Sequence, residues 1–418
     1  MRTLRIGLLL GIRQLQRANK WTTLLIIFVM MLTFLNLIAV SGVLVGLITG
    51  AENAVRAEYL GDLIISKRDG EDRIIDTATI LRELPSFPEI YTYSARYTGG
   101  GVLEANYKQR RDLKGERDTA TVSVTGIDPV KEDGMSGLSK NILEGEYLDP
   151  TQEGYILIGY YYMAESAIKF GDLFDTVENI KPGETVRLTV GNISKEFIVK
   201  GIVQSKVDQV SLNTYIPEQE FRRLFGRVDR NADQIVIRMK PNQSEVKLKE
   251  AFVASGFDKL AKLRTYDEGK PKFITDIKET FNTLGTFIGS IGLVVASITI
   301  FIIIFINAIS RRQQIGILKG IGIERRVIEV AYVFQAAIYA LLGSGLGALL
   351  TYGFLIGYFQ SNPIQFPFSD GILVAPVNDT FIRFVTLFII TLIAGFLPAW
   401  LIVRQNTLNS ILGRANTK

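Results

Sequence analysis

The chain has 418 residues, 47% of them hydrophobic, with 47 Lys and Arg against 42 Asp and Glu for a formal charge of +5. It contains no Cys and no His, which excludes disulfides, thiol chemistry, imidazole or thiolate zinc sites and every Ser-His or Cys-His mechanism. No G-x-x-x-x-G-K-[ST] loop occurs, so the chain does not cradle ATP phosphates by that route.

Residues 1–20 predict an amphipathic helix on a membrane surface, because Leu4, Leu8, Ile12 and Leu15 recur at helical spacing with Arg5, Arg13 and Arg17 among them. Four stretches lack Asp, Glu, Lys and Arg altogether: Trp21–Ala51, Thr280–Ser310, Val330–Ser369 and Phe384–Val403. Each reaches the roughly 20 apolar residues that cross about 30 Å of hydrocarbon. Buried helices of a water-soluble protein would carry charge on a solvent side. The fold class expected is therefore membrane α-helical, with four transmembrane helices. A large mixed α+β extracytoplasmic domain of two subdomains is inserted between the first and second. A cleaved signal peptide is the alternative for the N-terminus. The apolar run is too long for one and no small-x-small site closes it, so a retained anchor is expected.

The expected organisation runs as follows: 1–20, cytoplasmic helix; 21–51, first span and start of a stalk; 52–275, outer domain; 276–309, second stalk and second span; 310–327, a cytoplasmic coupling helix; 328–358, third span; 359–380, outer loop; 381–403, fourth span; 404–418, cytoplasmic tail. In the outer domain, strands are predicted at Leu63–Ser66, Ile90–Tyr97, Thr121–Gly126, Tyr155–Ile158, Thr185–Val190, Glu196–Val203, Gln234–Met239 and Lys262–Tyr266. Gly191-Asn192 reads as a hairpin turn. Helices follow Pro217 and the cap Ser244, so 234–266 reads as a β-α-β unit, and the middle region, about 98–215, is the richer in strands. The charged segment Lys108–Asp118 reads as a loop.

Charge placement orients the spans. Arg2, Arg5, Arg13, Arg17 and Lys20 precede the first, Arg311, Arg312, Lys319, Arg325 and Arg326 lie between the second and third, and Arg404, Arg414 and Lys418 follow the fourth. Residues 327–382 contain no Lys or Arg. Basic flanks stay cytoplasmic, so both termini are expected inside and the large domain outside. The excess charge thus has a membrane explanation and no nucleic-acid partner is implied.

Between the second and third spans, 310–328 predicts a short basic helix with Ile315, Leu318 and Ile321 or Gly322 on one side. A simple positive-inside anchor would explain the arginines. It does not explain Gly316, Gly320 and Gly322, which weaken a helix interior by about 1 kcal/mol each and suggest close approach to a docked partner. Glycines four apart, as in Gly42 and Gly46, Gly46 and Gly50, Gly285 and Gly289, Gly343 and Gly347, and Gly353 and Gly357, suit close helix packing, within the chain or with a second copy. Pro398 is expected to kink the last span. No charge lies at mid-depth in the spans, as an ion-coupled carrier would need. Carboxylate pairs such as Glu144 and Glu146, or Asp229 and Asp233, read as solvated surface, and no metal site is expected.

The segment Arg311 to Ile328 resembles the signature R-x-R-E-I-G-[IL]-L-[RK]-A-[LI]-G-A-x-R-x-x-I of the MacB/FtsX-type permeases of ABC transporters (type VII), the group that includes the LolC and LolE lipoprotein-releasing subunits. It matches at Arg311, Ile315, Gly316, Ile317, Leu318, Lys319, Ile321, Gly322, Arg325 or Arg326, and Ile328, and departs at Gln314 and Gly320, where the family has Glu and Ala. Gly395-Phe-Leu-Pro398-Ala399 and Leu412-Gly-Arg414 are similar to the family's closing motif, with Thr407 for a second proline. Gly126-Ile-Asp-Pro129 and Leu143–Leu148 resemble its outer-domain motifs.

The resemblance implies a permease that transmits ATP-driven movement to its outer domain, in a cell inner membrane. It implies that Arg311, Arg312, Gln314, Ile315, Gly316, Leu318, Lys319, Gly322, Arg325 and Arg326 dock a separate ABC ATP-binding subunit. Gly42, Gly46, Gly285 and Gly289 would pack helices in a dimer with a second permease copy or paralogue. The chain itself would be no enzyme and hold no cofactor, ATP and Mg belonging to the partner. Membrane lipid and a periplasmic adaptor or chaperone are further partners on this reading. Expected cargo is lipoprotein, lipid or another amphiphile. The alternatives are MacB-like drug or peptide efflux and an FtsX-like regulator of an envelope hydrolase.

Overall fold

The computed structural model describes residues 2–108, 117–166, 175–178, 180–362, 364–366, 369–371 and 373–404. The charged segment around 109–116 and the tail motif at Thr407 and Leu412–Arg414 lie outside the described residues. The chain divides into two compact units, one of which holds Met1–Ile48, Asp276–Gln365 and Asp370–Lys418, and the other Thr49–Thr275 and Phe366–Ser369.

In chain order, helix α1 is Arg2–Gln16 and α2 is Lys20–Leu60, its last turn wound as a π-helix. The outer unit then contributes β1 (Leu63–Ser66), α3 (Thr77–Glu83), β2 (Ile90–Glu104), β3 (Thr119–Ile127), α4 (Pro129–Ser136), β4 (Ile142–Gly145), β5 (Tyr155–Gly159), β6 (Thr185–Val190), β7 (Ile193–Val203), β8 (Asn213–Pro217), α5 (Glu218–Leu224), β9 (Gln234–Met239), α6 (Glu245–Ala254) and β10 (Lys262–Thr265). The membrane unit closes with α7 (Lys272–Ser310), α8 (Arg312–Gly320), α9 (Arg325–Ser361) and α10 (Val377–Val403). Helices α2, α7, α9 and α10 are each long and apolar enough to cross a membrane.

The outer unit is a mixed sheet in the order β10-β1-β9-β2-β3-β8-β5-β7-β4. β9 and β10 both pair antiparallel with β1, so the expected β-α-β unit is split, with β1 between its strands. β2 pairs with β9 through 90–96 and with β3 through 97–104. Its outer half also pairs β6, and β6 pairs β7, so β2, β3, β8, β5, β7 and β6 close a ring. The expected change of character near residue 98 therefore falls inside one continuous strand. The β6–β7 hairpin turns through Gly191 and Asn192, with Gly191 at φ +56°, where a two-residue loop favours glycine. β4 and β8 escaped the sequence reading: both are short, and each lies within a turn-rich stretch.

In the membrane unit, glycine decides the close approaches. A Cβ on Gly343 would stand 2.3 Å from Met30 Cβ, and one on Gly347 would stand 3.0 Å from Phe34, so this pair seats α9 on α2. A Cβ on Gly395 would meet Ala336 at 2.6 Å, seating α10 on α9. Helix α1 also packs on α9: Gly7 faces Val327 and Val330, Gly11 faces Ala331 and Phe334, and Gln335 donates to Gln14 at 2.6 Å. Expected as a purely surface helix, α1 thus uses two of its glycines for a packed seam. Helix α10 continues five residues past Pro398.

Candidate functional site

The short helix between the second and third spans is set off by two backbone features. At Arg311 (φ −106°, ψ 14°) the chain leaves α7, and at Gly322 (φ +92°) it leaves α8 for the extended Glu324. A side-chain-bearing residue is strained at that positive φ, so Gly322 is a turn glycine. Around Gly320 and Gly322 a Cβ would find nothing within 4 Å, so neither marks a close approach inside this chain.

The residues singled out from the sequence fall on two faces. Ile315, 2% exposed, joins Ala308, Ile328, Tyr332 and Ile402 in the bundle core, with Gly316 buried and Leu318 partly buried beside it. Lys319 reaches the end of α10, where its Nζ donates to the Val403 carbonyl at 3.0 Å. Burial, followed by the charge of Arg325, holds the Lys319 pKa below the usual lysine range. Gln314, Ile317, Ile321, Arg325 and Arg326 are exposed, with Ile317 at 55% and Ile321 at 71%. The expectation that Ile321 shares the side of Ile315 and Leu318 is corrected: α8 stops at Gly320, and the turn swings Ile321 outward. Arg311 and Arg312 are intermediate in exposure.

A second feature is a groove of about 400 Å³ between α2, α7 and α10, lined among others by Ser41, Leu44, Gly285, Gly289, Asp379 and Arg383. Gly285 and Gly289 make only ordinary contacts, to Leu44 at 3.5 Å and Leu37 at 3.8 Å, which leaves the groove open. Gly42 and Gly46 are buried. Gly42 is filled from within the chain, since a Cβ there would meet Leu373 and the Val374 carbonyl at 2.8 Å. Arg383 donates to the Ser41 hydroxyl and to the Leu37 carbonyl at 3.4 Å. Sequence reasoning passed over Arg383. Its signal was present, as the single Lys or Arg between Arg326 and Arg404. Among the described residues, no cluster of carboxylates gathers to hold a metal.

Residues 286–407 match the family described as FtsX-like permease C-terminal. Over that segment the chain is similar to the MacB/FtsX-type permeases. It is 24% identical over 241 residues to the macrolide export ATP-binding/permease protein MacB of Campylobacter jejuni, an alignment covering 54% of this chain and 36% of that protein. To the MacB of Pasteurella multocida it is 31% identical over 134 residues, 31% of this chain and 19% of that one. The permease thus spans about a third or less of the length of these curated relatives. Among solved structures, the periplasmic region of MacB from Actinobacillus actinomycetemcomitans aligns with TM-score 0.36 and 15% identity, covering 51% of this chain and 92% of that one. The extracellular domain of the noncanonic ABC-type transporter YknZ from Gram-positive bacteria aligns with TM-score 0.32 and 14% identity, over 49% of this chain and 97% of that one.

The matched segment contains most of α7 and all of α8, α9 and α10. Both departures of the permease from the α8 signature, Gln314 and Gly320, lie on the exposed side of the helix. The inward residues Ile315, Gly316 and Leu318 keep the pattern.

Proposed function

We propose that this permease is the membrane subunit of an ABC transporter whose ATP-binding subunit is a separate chain. The observation that carries the proposal is the outer face of α8. Ile317 and Ile321 stand exposed there beside Arg325 and Arg326, on a helix otherwise anchored in the bundle. An apolar stripe with basic neighbours, outside any membrane span, suits burial against a protein partner. ATP and Mg are held by that partner, and ATP-driven closure moves α8 and, through α7 and α2, the outer domain. Both termini and α8 face the cytoplasm, and the outer domain lies beyond a cell inner membrane.

The permease works as a dimer with a second copy or paralogue across α2 and α7. Helix α7 is the least covered of the four spans and presents an exposed row from Leu284 through Phe287, Ile291, Ile298, Ile302 and Ile306. Cargo is amphiphilic, a lipoprotein, a lipid or a macrolide-like drug, and the groove beside Arg383 suits an apolar chain carrying a polar or anionic group. The MacB relatives favour export over pure regulation of an envelope enzyme. Two outer subdomains meeting along β2 would supply the moving parts outside.

The test is co-purification. The double substitution Ile317→Asp with Ile321→Asp abolishes recovery of the ATP-binding subunit while the permease still inserts. Recovery at the wild-type yield would show that α8 docks nothing through this face.

A further inference from the structure

Where α2 begins, α7 ends and the first turns of α9 pass, the membrane unit encloses a pocket of about 100 Å³. Asn19, Thr22, Thr23, Arg311, Tyr332 and Gln335 are among its walls, and among the described residues no Asp or Glu lines it. Tyr332 is 2% exposed and among the described residues its hydroxyl has no hydrogen-bond partner, a state that a ligand bound there would relieve. Among the described residues no carboxylate pairs with Arg311, which lines the pocket together with Tyr332 and Tyr339. The pocket also sits at the start of the long helix α2. There the Asn19 side chain accepts the Trp21 N–H at 3.0 Å, and the positive end of the helix dipole adds to the field. A donor-rich, carboxylate-free pocket with one unpaired cation and one orphaned buried hydroxyl is built for an anion.

We propose that this pocket binds a phosphate group, supplied by the headgroup of a membrane phospholipid. Depth favours the lipid source. The charge-free windows begin at Trp21 and end at Ser310, so Asn19 and Arg311 stand just outside the hydrocarbon, where phosphates lie. Trp21, 81% exposed, is an interfacial aromatic at the same level. Leu24, Leu25 and Phe28 are exposed along the next turns of α2 and give acyl chains a surface to follow. Arg311 is the residue at which α7 turns into α8, so an occupied pocket braces that joint. Lipid then acts on the coupling helix without touching its docking face.

The test uses the full-length permease, alone and stripped of lipid in detergent, with binding read by native mass spectrometry. Phosphatidylglycerol is one probe, phosphate-free diacylglycerol the second and inorganic phosphate, followed by phosphorus NMR, the third. Wild type retains phosphatidylglycerol and not diacylglycerol. Arg311→Gln weakens retention by about tenfold or more, the scale of a lost charge-assisted hydrogen bond. Arg311→Lys retains more than Arg311→Gln, and Tyr332→Phe weakens binding less than Arg311→Gln does, with an unchanged gel-filtration profile as the control for folding. Equal retention by wild type and Arg311→Gln, or equal retention of diacylglycerol, overturns the proposal. Arg311-dependent binding of inorganic phosphate without phosphatidylglycerol overturns the lipid source and keeps the phosphate site. Because no ATP-binding subunit is present, none of these outcomes depends on the docking assignment.

Discussion

Arg96 and Glu132 form a bidentate ion pair inside the outer unit, with Nη2 to Oε1 at 2.6 Å and Nε to Oε2 at 3.1 Å. Both side chains are at most 5% exposed. The remaining nitrogen of Arg96 donates to the Tyr59 carbonyl at 2.6 Å. One guanidinium therefore joins β2, α4 and the end of α2. A buried charge is tolerated here because every part of it is paired.

Glu132→Gln leaves that guanidinium partly uncompensated and should cost about 3–5 kcal/mol, as removal of one partner of a buried pair does. Hydrogen exchange across β2 and α4 reads the loss, and unchanged protection would refute the assignment. The pH dependence has a definite sign. Burial alone would raise the Glu132 pKa, but Arg96 outweighs it and holds the group below the usual glutamate value. The stabilisation is then fully present above the unfolded-state pKa of Glu and disappears as pH falls through the lower folded value. In the Glu132→Gln variant that acid-dependent step is absent.

Gly320 and Gly322 separate two roles that look alike in the sequence. Gly322→Val forces a β-branched residue to φ +92° and should cost roughly 1–3 kcal/mol of local strain, shifting α8 against α9. Gly320→Ala meets nothing within 4 Å and should be neutral or stabilising by about 0.5–1 kcal/mol. Proteolytic susceptibility of the 311–325 segment distinguishes them. Equal behaviour of the two variants would mean the turn is not as described.

Gly343 and Gly353 make the matching contrast in the third span. Gly343→Leu must displace Met30 and the Ile27 carbonyl, and overpacking of that kind costs typically about 1–3 kcal/mol. Gly353→Leu enters open space and should leave thermal stability in detergent near wild type. A Gly343→Leu variant as stable as wild type would remove the α2–α9 seam.

What the sequence disclosed and what it hid follow from the range of the forces involved. Four spans were legible because lipid demands long charge-free runs, and a hydrophobic run is a local property. The Gly191-Asn192 hairpin was legible because its turn is specified by two adjacent residues. The closing of β2, β3, β8, β5, β7 and β6 into a ring was not, since it depends on pairings such as Val102 with Thr189 between distant segments. Residue type named Ile321 as apolar, but its face depended on where α8 stops, and a one-residue difference in helix end turns a side chain by about 100°. Arg311 and Arg326 read alike as basic flanks, although one lines a pocket and the other is exposed. Arg383 was hidden by being read as the edge of a window rather than as a donor into it.

The orientation of the membrane unit yields the last expectation. Gly7 packs on Val330, and a short turn through Gly322 joins α8 to the start of α9 at Arg325, so the N-terminal helix and α8 gather at one end of the bundle. That end carries the basic residues, while 327–382 carries none, and the proposed topology, with basic flanks kept inside, assigns it to the cytoplasm. The chain has no cysteine, so single introduced thiols report without background. In intact cells a membrane-impermeant maleimide should label Val228→Cys, at a position 93% exposed in the outer unit, and should reach Ile317→Cys only after the membrane is opened. The pair Gly7→Cys with Val330→Cys should cross-link on oxidation after purification, because a Cβ on Gly7 stands 2.9 Å from the Val330 Cβ, and a separation of the two helices by roughly 1 Å reaches the usual disulfide spacing. Labelling of positions 228 and 317 from the same side would reverse the assignment of α8 as the inward-facing dock, whatever the cross-link reports about packing.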